Sequence, residues 1–266
     1  MNIKNLFEQP SPLVMGILNV TPDSFSDGGH FNTVKTAIEH AKEMIKDGVD
    51  IIDIGGQSTR PGYKEVSPEM ELDRLLPVIK GIRDISDIPI SVDTYFPQVA
   101  EKMIELGVNI INDIKGGDSD GMLDVIQDHP TIGYIYMHSR PVTLGKLEKE
   151  LLAYQDEMLN EFNKRGIDIN RTSFDPGVGW KSHQEHLEIM THPSRYCYFD
   201  RGPVLYGLSR KRTIATLINQ DDPLKRDTAS TVAHLIAIDR GVKIVRVHDV
   251  RGMVDALAIY NALQPS

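Results

Sequence analysis

Short apolar runs alternate with stretches of helical periodicity from one end of the chain to the other. Leu13 to Leu18, Val49 to Ile54, Ile88 to Val92, Asn109 to Ile111, Ile132 to Met137, Thr172 to Phe174, Pro203 to Leu208 and Lys243 to Val247 predict eight strands. Between the first two, Thr33 to Asp47 sets Val34, Ala37, Ile38, Ala41, Met44 and Ile45 at helical spacing. The next helix has Ser67 as its N-cap and Pro68 at its first position, with Leu72, Leu75, Leu76, Ile79 and Ile82 as its apolar stripe. Pro97 to Leu106, Lys149 to Lys164, Asp227 to Arg240 and Gly252 to Leu263 complete the predicted helices. Strands rich in Ile and Val that lack polar alternation, each leading to a helix, predict a parallel sheet covered by helices. Eight repeats favour closure into a (β/α)8 TIM barrel over an open doubly wound sheet, and no glycine fingerprint opens the first helix.

A length of 266 residues suits one such barrel, so a single domain over 1–266 is expected. Hydrophobic residues at 40% can fill a large core. The net charge of −9 argues against nucleic acid or an anionic membrane as partner, while a few well-placed cations still allow a small anionic substrate. The lone Cys197 leaves no intrachain disulfide and suits a reducing compartment. No apolar run approaches the roughly 20 residues of a membrane helix, and Met1 to Pro12 lacks a signal-peptide core, so a cytoplasmic protein is expected.

Every predicted strand ends in a polar cluster. In strand order these are Asn19 to Asp23, Asp53 to Gly62, Asp93-Thr94, Asn112-Asp113, Met137-His138, Asp175-Pro176-Gly177, Ser209 to Arg212 and Arg246 to Asp249. The carboxyl ends of barrel strands share one face, so the clusters converge. Any one of them could be a cap for the helix that follows; capping does not call for the carboxylates of Asp53, Asp93 and Asp175 or the cations of Lys211 and Arg246 on the same rim. Asp93, Asn112 and Asp175 match the paired donors and acceptors of a flat, nitrogen-rich heterocycle. Lys211, Arg246 and His248 suit a phosphate or pyrophosphate, and the Ser209 to Arg212 run opens a helix whose free amides attract an anion. His138 reads as a hydrogen-bonded structural residue, and His183, His186 and His192 as surface or capping groups. Lys35, Lys42 and Lys46 form a solvated face, and Asp53 reads as a residue that orients the second loop.

The segment Met15 to Gly29, with Asn19-Val20-Thr21-Pro22-Asp23-Ser24-Phe25-Ser26-Asp27-Gly28 inside it, resembles the first signature of the dihydropteroate synthases. Asp53 to Gly62 resembles the second, and Ser91 to Thr94, Asn112 to Ile114, Asp175 to Gly177, Ser209 to Lys211 and Arg246 to His248 continue the pattern in order. The resemblance implies a single pterin-binding TIM-barrel domain that joins a dihydropterin pyrophosphate to 4-aminobenzoate in folate biosynthesis. It implies that Asn19 ligates a Mg²⁺ bridging the pyrophosphate oxygens. By the same resemblance Asp93, Asn112, Asp175 and Lys211 hold the pterin, and Arg246 and His248, with Ser58 and Thr59, bind the pyrophosphate. Phe25, Arg60, Pro61 and Ser209 shape the 4-aminobenzoate site, where sulfonamides would compete. Asp93, Asp175, Lys211 and Arg246 form the implied catalytic set, and a homodimer through the late helices is implied as well.

Several positions depart from the family pattern. Gln57 stands where most members carry Glu, Trp180 replaces a usual Phe, Lys181-Ser182 replaces Gly-Lys, and Thr213 and Ala215 replace Phe and Gly. Pterin-dependent methyltransferases share the barrel and its heterocycle-binding residues but have no need of an anion clamp. A non-catalytic pterin-binding paralogue would lose the first two loops, which are intact here.

Gly28-Gly29 ends the first loop, and Gly55-Gly56 and Pro61-Gly62 bracket the second, so both loops are expected to be ordered by ligand. The same loops carry Phe25, Arg60 and Pro61 beside the implied pyrophosphate contacts. Binding of 4-aminobenzoate is therefore expected to strengthen by the ~1–3 kcal/mol typical of coupled sites once Mg²⁺ and pyrophosphate are present. Calorimetric titration with and without them reads this coupling, and equal affinities would mean that the second site is preformed.

Overall fold

The computed structural model describes residues 2–21, 29–57, 65–143, 145–179 and 181–263, without the side chains of 29–33 and 199. Its strands are β1 (Leu13–Asn19), β2 (Ile51–Gly55), β3 (Ile90–Asp93), β4 (Ile110–Asp113), β5 (Gly133–Met137), β6 (Thr172–Asp175), β7 (Leu205–Tyr206) and β8 (Ile244–Val247). The helices are α1 (Ile3–Glu8), α2 (Gly29–Lys46), α3 (Pro68–Arg83), α4 (Pro97–Glu105), α5 (Met122–Asp128), α6 (Leu147–Arg165), α7 (His183–Thr191), α8 (Arg212–Ile218), α9 (Asp227–Asp239) and α10 (Val250–Ala262). All strands pair in parallel, in the order β6-β5-β4-β3-β2-β1-β8-β7. The ring closes between β6 and β7 through one bridge, Phe174 to Val204, where the Phe174 amide donates to the Pro203 carbonyl at 3.0 Å. The predicted (β/α)8 barrel is thus the fold.

Three helices have no counterpart in the sequence expectation, and each is short or polar for a physical reason. The six residues of α1 offer only Ile3 and Phe7 as buried positions. Gly121 starts α5 at φ 87°, and its seven residues bury only Met122 and Ile126, too few to set a period. A capping box between Ser182 and Glu185 opens α7, whose buried face is made by His186 with Ile189. The predicted strand from Pro203 to Leu208 narrows to Leu205–Tyr206, since its outer neighbour β6 meets it only at the closing bridge.

Two apolar layers arise from the alternation of side chains along each strand. The outer layer packs strands against helices, tightly enough that a Cβ on Gly16 would lie 2.9 Å from Met44 Sδ and Val250 Cγ2. Inside the barrel, Leu13, Met15, Ile51, Ile110, Ile135, Leu205 and Ile244 form the floor, sealed from below by Ile3 and Phe7 of α1. Among the described residues no helix is long and apolar enough to cross a membrane.

Candidate active site

Two residues above that apolar floor, on the same inward faces, the chemistry changes. Ile51 is followed by Asp53 on β2, Ile110 by Asn112 on β4, and Ile244 by Arg246 on β8; Ser91 and Asp93 share the corresponding face of β3. Arg246 reaches across the mouth of the barrel. Its Nε donates to Asp53 Oδ2 at 2.6 Å and its Nη2 to Asp93 Oδ2 at 3.2 Å, while Asn112 Nδ2 donates to Asp53 Oδ2 at 3.3 Å. Asp53 therefore holds Arg246 and Asn112 in place, and the expectation that it orients the second loop is corrected: its inward register points the carboxylate into the barrel.

One guanidinium serves two buried carboxylates, and the second is not fully compensated. Burial pushes the Asp93 carboxyl up to about 8, against the pull of Arg246 and with added repulsion from Asp53, Glu71 and Asp113. Asp53 Oδ1, Asp93 Oδ1 and Ser91 Oγ are buried without a hydrogen-bond partner among the described residues. Unpaired acceptors in a buried polar cup suit a ligand rich in N–H donors.

The neighbouring wall carries Asp175 and Lys211. Asp175 Oδ1 accepts from the Gly177 amide at 2.8 Å, and burial raises its carboxyl while Lys211 lowers it. Lys211 donates to the Val178 carbonyl, and burial brings its ammonium down to about 8, opposed by Asp175 and Asp93. Gly179, at φ 107°, gives the lysine passage, since a Cβ there would lie 2.6 Å from Nζ. Lys211 also stands as the N-cap of α8, as the sequence suggested for this run. Arg210 is turned away and grips Asp227 with two contacts at 2.7 and 2.8 Å. Beside it, Ser209 Oγ accepts from the His248 amide at 3.2 Å and lies 2.9 Å from His248 Nδ1. With the hydroxyl donating to Nδ1, the ring proton sits on Nε2, a donor suited to an anion.

Asn19 ends β1 opposite Gly55, where a Cβ would come within 3.4 Å of its Oδ1 and 3.8 Å of Asp93 Cβ. The base of the second loop is fastened from behind: Arg74 Nη1 donates to the Gly56 carbonyl at 2.8 Å, and Glu71 Oε2 accepts from Thr94 Oγ1 at 2.8 Å. Gln57 is buried in the same cluster, its Oε1 accepting from Tyr95 OH at 3.4 Å. The amide at this position thus supports the loop's first residues. Asp113 folds the turn after β4 by accepting from the amides of Lys115 and Gly117 and from Tyr134 OH, each at 2.8 Å.

Of the expected site residues, Asn19, Asp93, Asn112, Asp175, Ser209, Lys211, Arg246 and His248 all lie at the carboxyl ends of the strands. Phe25, Ser58, Thr59, Arg60 and Pro61, like Trp180, lie outside the described residues. His186, read as a surface or capping group, is a correction: it is buried, and its ring holds the turn after β6. Glu71 and His234 went unnoticed. Each had a signal, a polar residue on an apolar stripe: Glu71 with Leu75, Val78, Ile79 and Ile82, and His234 with Ala237 and Ile238.

A closed parallel barrel that gathers carboxylates, an amide and cations at the carboxyl ends of its strands has the architecture of a barrel enzyme with its site at that face. The chain matches the pterin binding enzyme family over residues 15–248, and it belongs to that family. It is 38% identical over 266 residues to a dihydropteroate synthase of Streptococcus pyogenes, covering 99% of this chain and 100% of the relative. It also resembles the structure of a Xanthomonas albilineans dihydropteroate synthase with 4-aminobenzoic acid, with TM-score 0.91, 39% identity and coverage of 97% and 94%. A Yersinia pestis dihydropteroate synthase with a sulfonamide drug complex matches with TM-score 0.87, 36% identity and coverage of 95% and 94%.

Burial pushes the Glu71 carboxyl from 4.5 up to about 7, against its contacts with Thr94, Gln57 and Arg74. The folded protein then holds this proton longer than the unfolded chain, so Glu71 lowers stability as pH rises from 4.5 to about 7. Glu71→Gln removes that slope. Relative to the parent, the variant should gain roughly 2–3 kcal/mol between pH 5 and pH 8 in denaturant titrations. Parallel stability curves would show that Glu71 is already ionised at pH 5.

Proposed function

We propose that the chain condenses a 6-hydroxymethyl-7,8-dihydropterin pyrophosphate with 4-aminobenzoate, giving 7,8-dihydropteroate and pyrophosphate in folate biosynthesis. The observation that carries this reading is the buried cup in which Asp53 and Asp93 each keep an unpaired carboxylate oxygen around Arg246. A pterin presents the matching row of ring and amino N–H donors, with Asn112, Asp175 and Lys211 at its polar edges. The relatives named dihydropteroate synthases, one of them solved with 4-aminobenzoic acid, support the same reaction.

The bond between the pterin methylene and the pyrophosphate oxygen breaks with its electron pair on oxygen. Conjugation spreads the positive charge left on the methylene into the ring. A developing cation against Asp93 and Asp175 offsets the burial that otherwise disfavours their ionised forms. Arg246 and His248 would bind the leaving pyrophosphate, Ser209 would shape the 4-aminobenzoate site beside them, and the 4-aminobenzoate nitrogen attacks the methylene and releases its proton to solvent. No protein nucleophile is needed, and the lone Cys197 is unsuited to the role, its thiol pushed up to about 12 by burial.

Asn19 fits a magnesium site, its amide oxygen a hard donor in the gap that Gly55 leaves open at the mouth. Asn19 would supply the side-chain donor for Mg²⁺, an ion that commonly takes few protein ligands. When bound, Mg²⁺ neutralises charge on the pyrophosphate. Sulfonamides, as 4-aminobenzoate mimics, would compete at the second substrate site, consistent with the Yersinia pestis relative. A homodimer fits the apolar residues exposed on the late helices, Leu217 and Ile218 of α8, Val232 and Ile236 of α9, and Ile259 of α10. A reducing cytoplasm suits the free Cys197.

Pyrophosphate release from the pterin pyrophosphate, assayed with and without 4-aminobenzoate and Mg²⁺, tests the reaction, and no release with all three present would overturn it. Lys211→Ala and Asp175→Ala should each weaken pterin binding by about 1.5–3 kcal/mol, the usual worth of a hydrogen bond to a charged group. Calorimetry reads this, and unchanged pterin affinity in both would remove them from the site. Arg246→Lys keeps the charge but loses the planar fork, so it should impair both pyrophosphate affinity and turnover. A Lys variant with parental pyrophosphate affinity would leave Arg246 with its ion pairs to Asp53 and Asp93 alone.

A further inference from the structure

Lys211 is reached by two turns, one after β6 that contains Gly177 to Gly179 and leads to Lys181, and the Leu208 to Lys211 turn after β7. Neither turn is held by regular secondary structure. Gly177 and Gly179 lie at φ 76° and 107°, and Arg210 at φ 59°. The left-handed backbone of Arg210, unfavourable for a side-chain-bearing residue, needs outside support. Part of it comes from α9, where Ser230 Oγ accepts from the Arg210 amide at 3.0 Å, and from Arg226 Nη1, which donates to the Arg210 carbonyl at 2.8 Å.

Two buried imidazoles bond to the backbone of the two turns. His186 Nε2 accepts from the amides of Gly179 and Lys181 at 2.8 and 3.0 Å, and its Nδ1 lies 2.9 Å from Thr213 Oγ1. His234 Nε2 accepts from the Leu208 amide at 3.1 Å. A ring nitrogen that accepts from a backbone amide carries no proton, so both rings are neutral Nδ1–H tautomers. His186 thus ties the turn after β6 to α8, two residues beyond Lys211. The same turn presents the Val178 carbonyl to the Lys211 ammonium.

We infer that His186 and His234 are positioning residues for the transfer reaction, each holding with its Nε2 one of the two turns that set Lys211 in the pterin cup. The inference rests on the reading of this cup as a pterin site. Burial, with Lys211 adding to it, brings both rings down to about 4, so they remain acceptors at neutral pH. Lys181, Glu185 and His183 also face His186. Protonated Nε2 atoms would oppose the amide donors they now accept from.

The test combines a spectroscopic signature with kinetics. In protein with ¹⁵N-labelled histidine, NMR at neutral pH should show Nδ1–H tautomers at His186 and His234, identified by their loss in His186→Gln and His234→Gln. Thr213→Val removes only the Nδ1 partner and should raise the KM for the pterin pyrophosphate about three- to tenfold, the effect of one hydrogen bond. Thr213→Ser should restore the parental KM, and His186→Leu should exceed the Thr213→Val effect. An Nε2–H or protonated ring in the parent enzyme, or a parental pterin KM in Thr213→Val, overturns the inference. The tautomers are read without turnover, so a parent enzyme that releases no pyrophosphate would instead indict the reading of the reaction. Should His186→Leu fail to fold, the tautomers and the Thr213 pair still decide.

Discussion

The guanidinium of Arg246, wedged between Asp53 and Asp93, is the contact on which the barrel mouth depends. Carboxylates brought this close and this deep cannot both stay ionised without a cation between them. Arg246 provides it from β8, across β1, to β2 and β3, and so ties β8 to the inner faces of two strands with which it does not pair. The match is incomplete. Two carboxylate oxygens keep unused acceptor capacity, and the resulting polar tension is concentrated where a ring bearing N–H donors can relieve it.

The apolar floor makes that arrangement possible. Ile51, Ile110 and Ile244 seal the barrel one inward step below Asp53, Asn112 and Arg246, and α1 caps the floor from outside. Water is thereby kept from the charges on one side, which strengthens their mutual interactions and their grip on a ligand entering from the other. Period-two alternation means that one chain segment serves both purposes: a strand contributes floor at one position and chemistry two residues later.

Support from the helices is equally directional. α3 fastens the start of the second loop with Arg74 and Glu71, α7 fastens the turn after β6 with His186, and α9 fastens the turn after β7 with His234, Ser230 and Asp227. Each anchor is a polar group on an otherwise apolar face. Such groups weaken the helix's own packing but hold loop backbones, those after β6 and β7 with left-handed residues at Gly177, Gly179 and Arg210.

Much of this was legible in the sequence. Periodicity marked all eight strands and the long helices, because both depend on local alternation of apolar and polar side chains. The strand-end clusters marked Asn19, Asp93, Asn112, Asp175, Ser209, Lys211, Arg246 and His248, since a parallel barrel sends every strand's carboxyl end to one face. The structure alone decided which of those groups meet. Asp53 and Arg246 are 193 residues apart in the chain and 2.6 Å apart in the barrel, a pairing set by strand register and closure. The roles of Glu71, His186 and His234 were hidden for the same reason: a polar residue on an apolar stripe shows that something buried is being bonded, and only tertiary packing shows what.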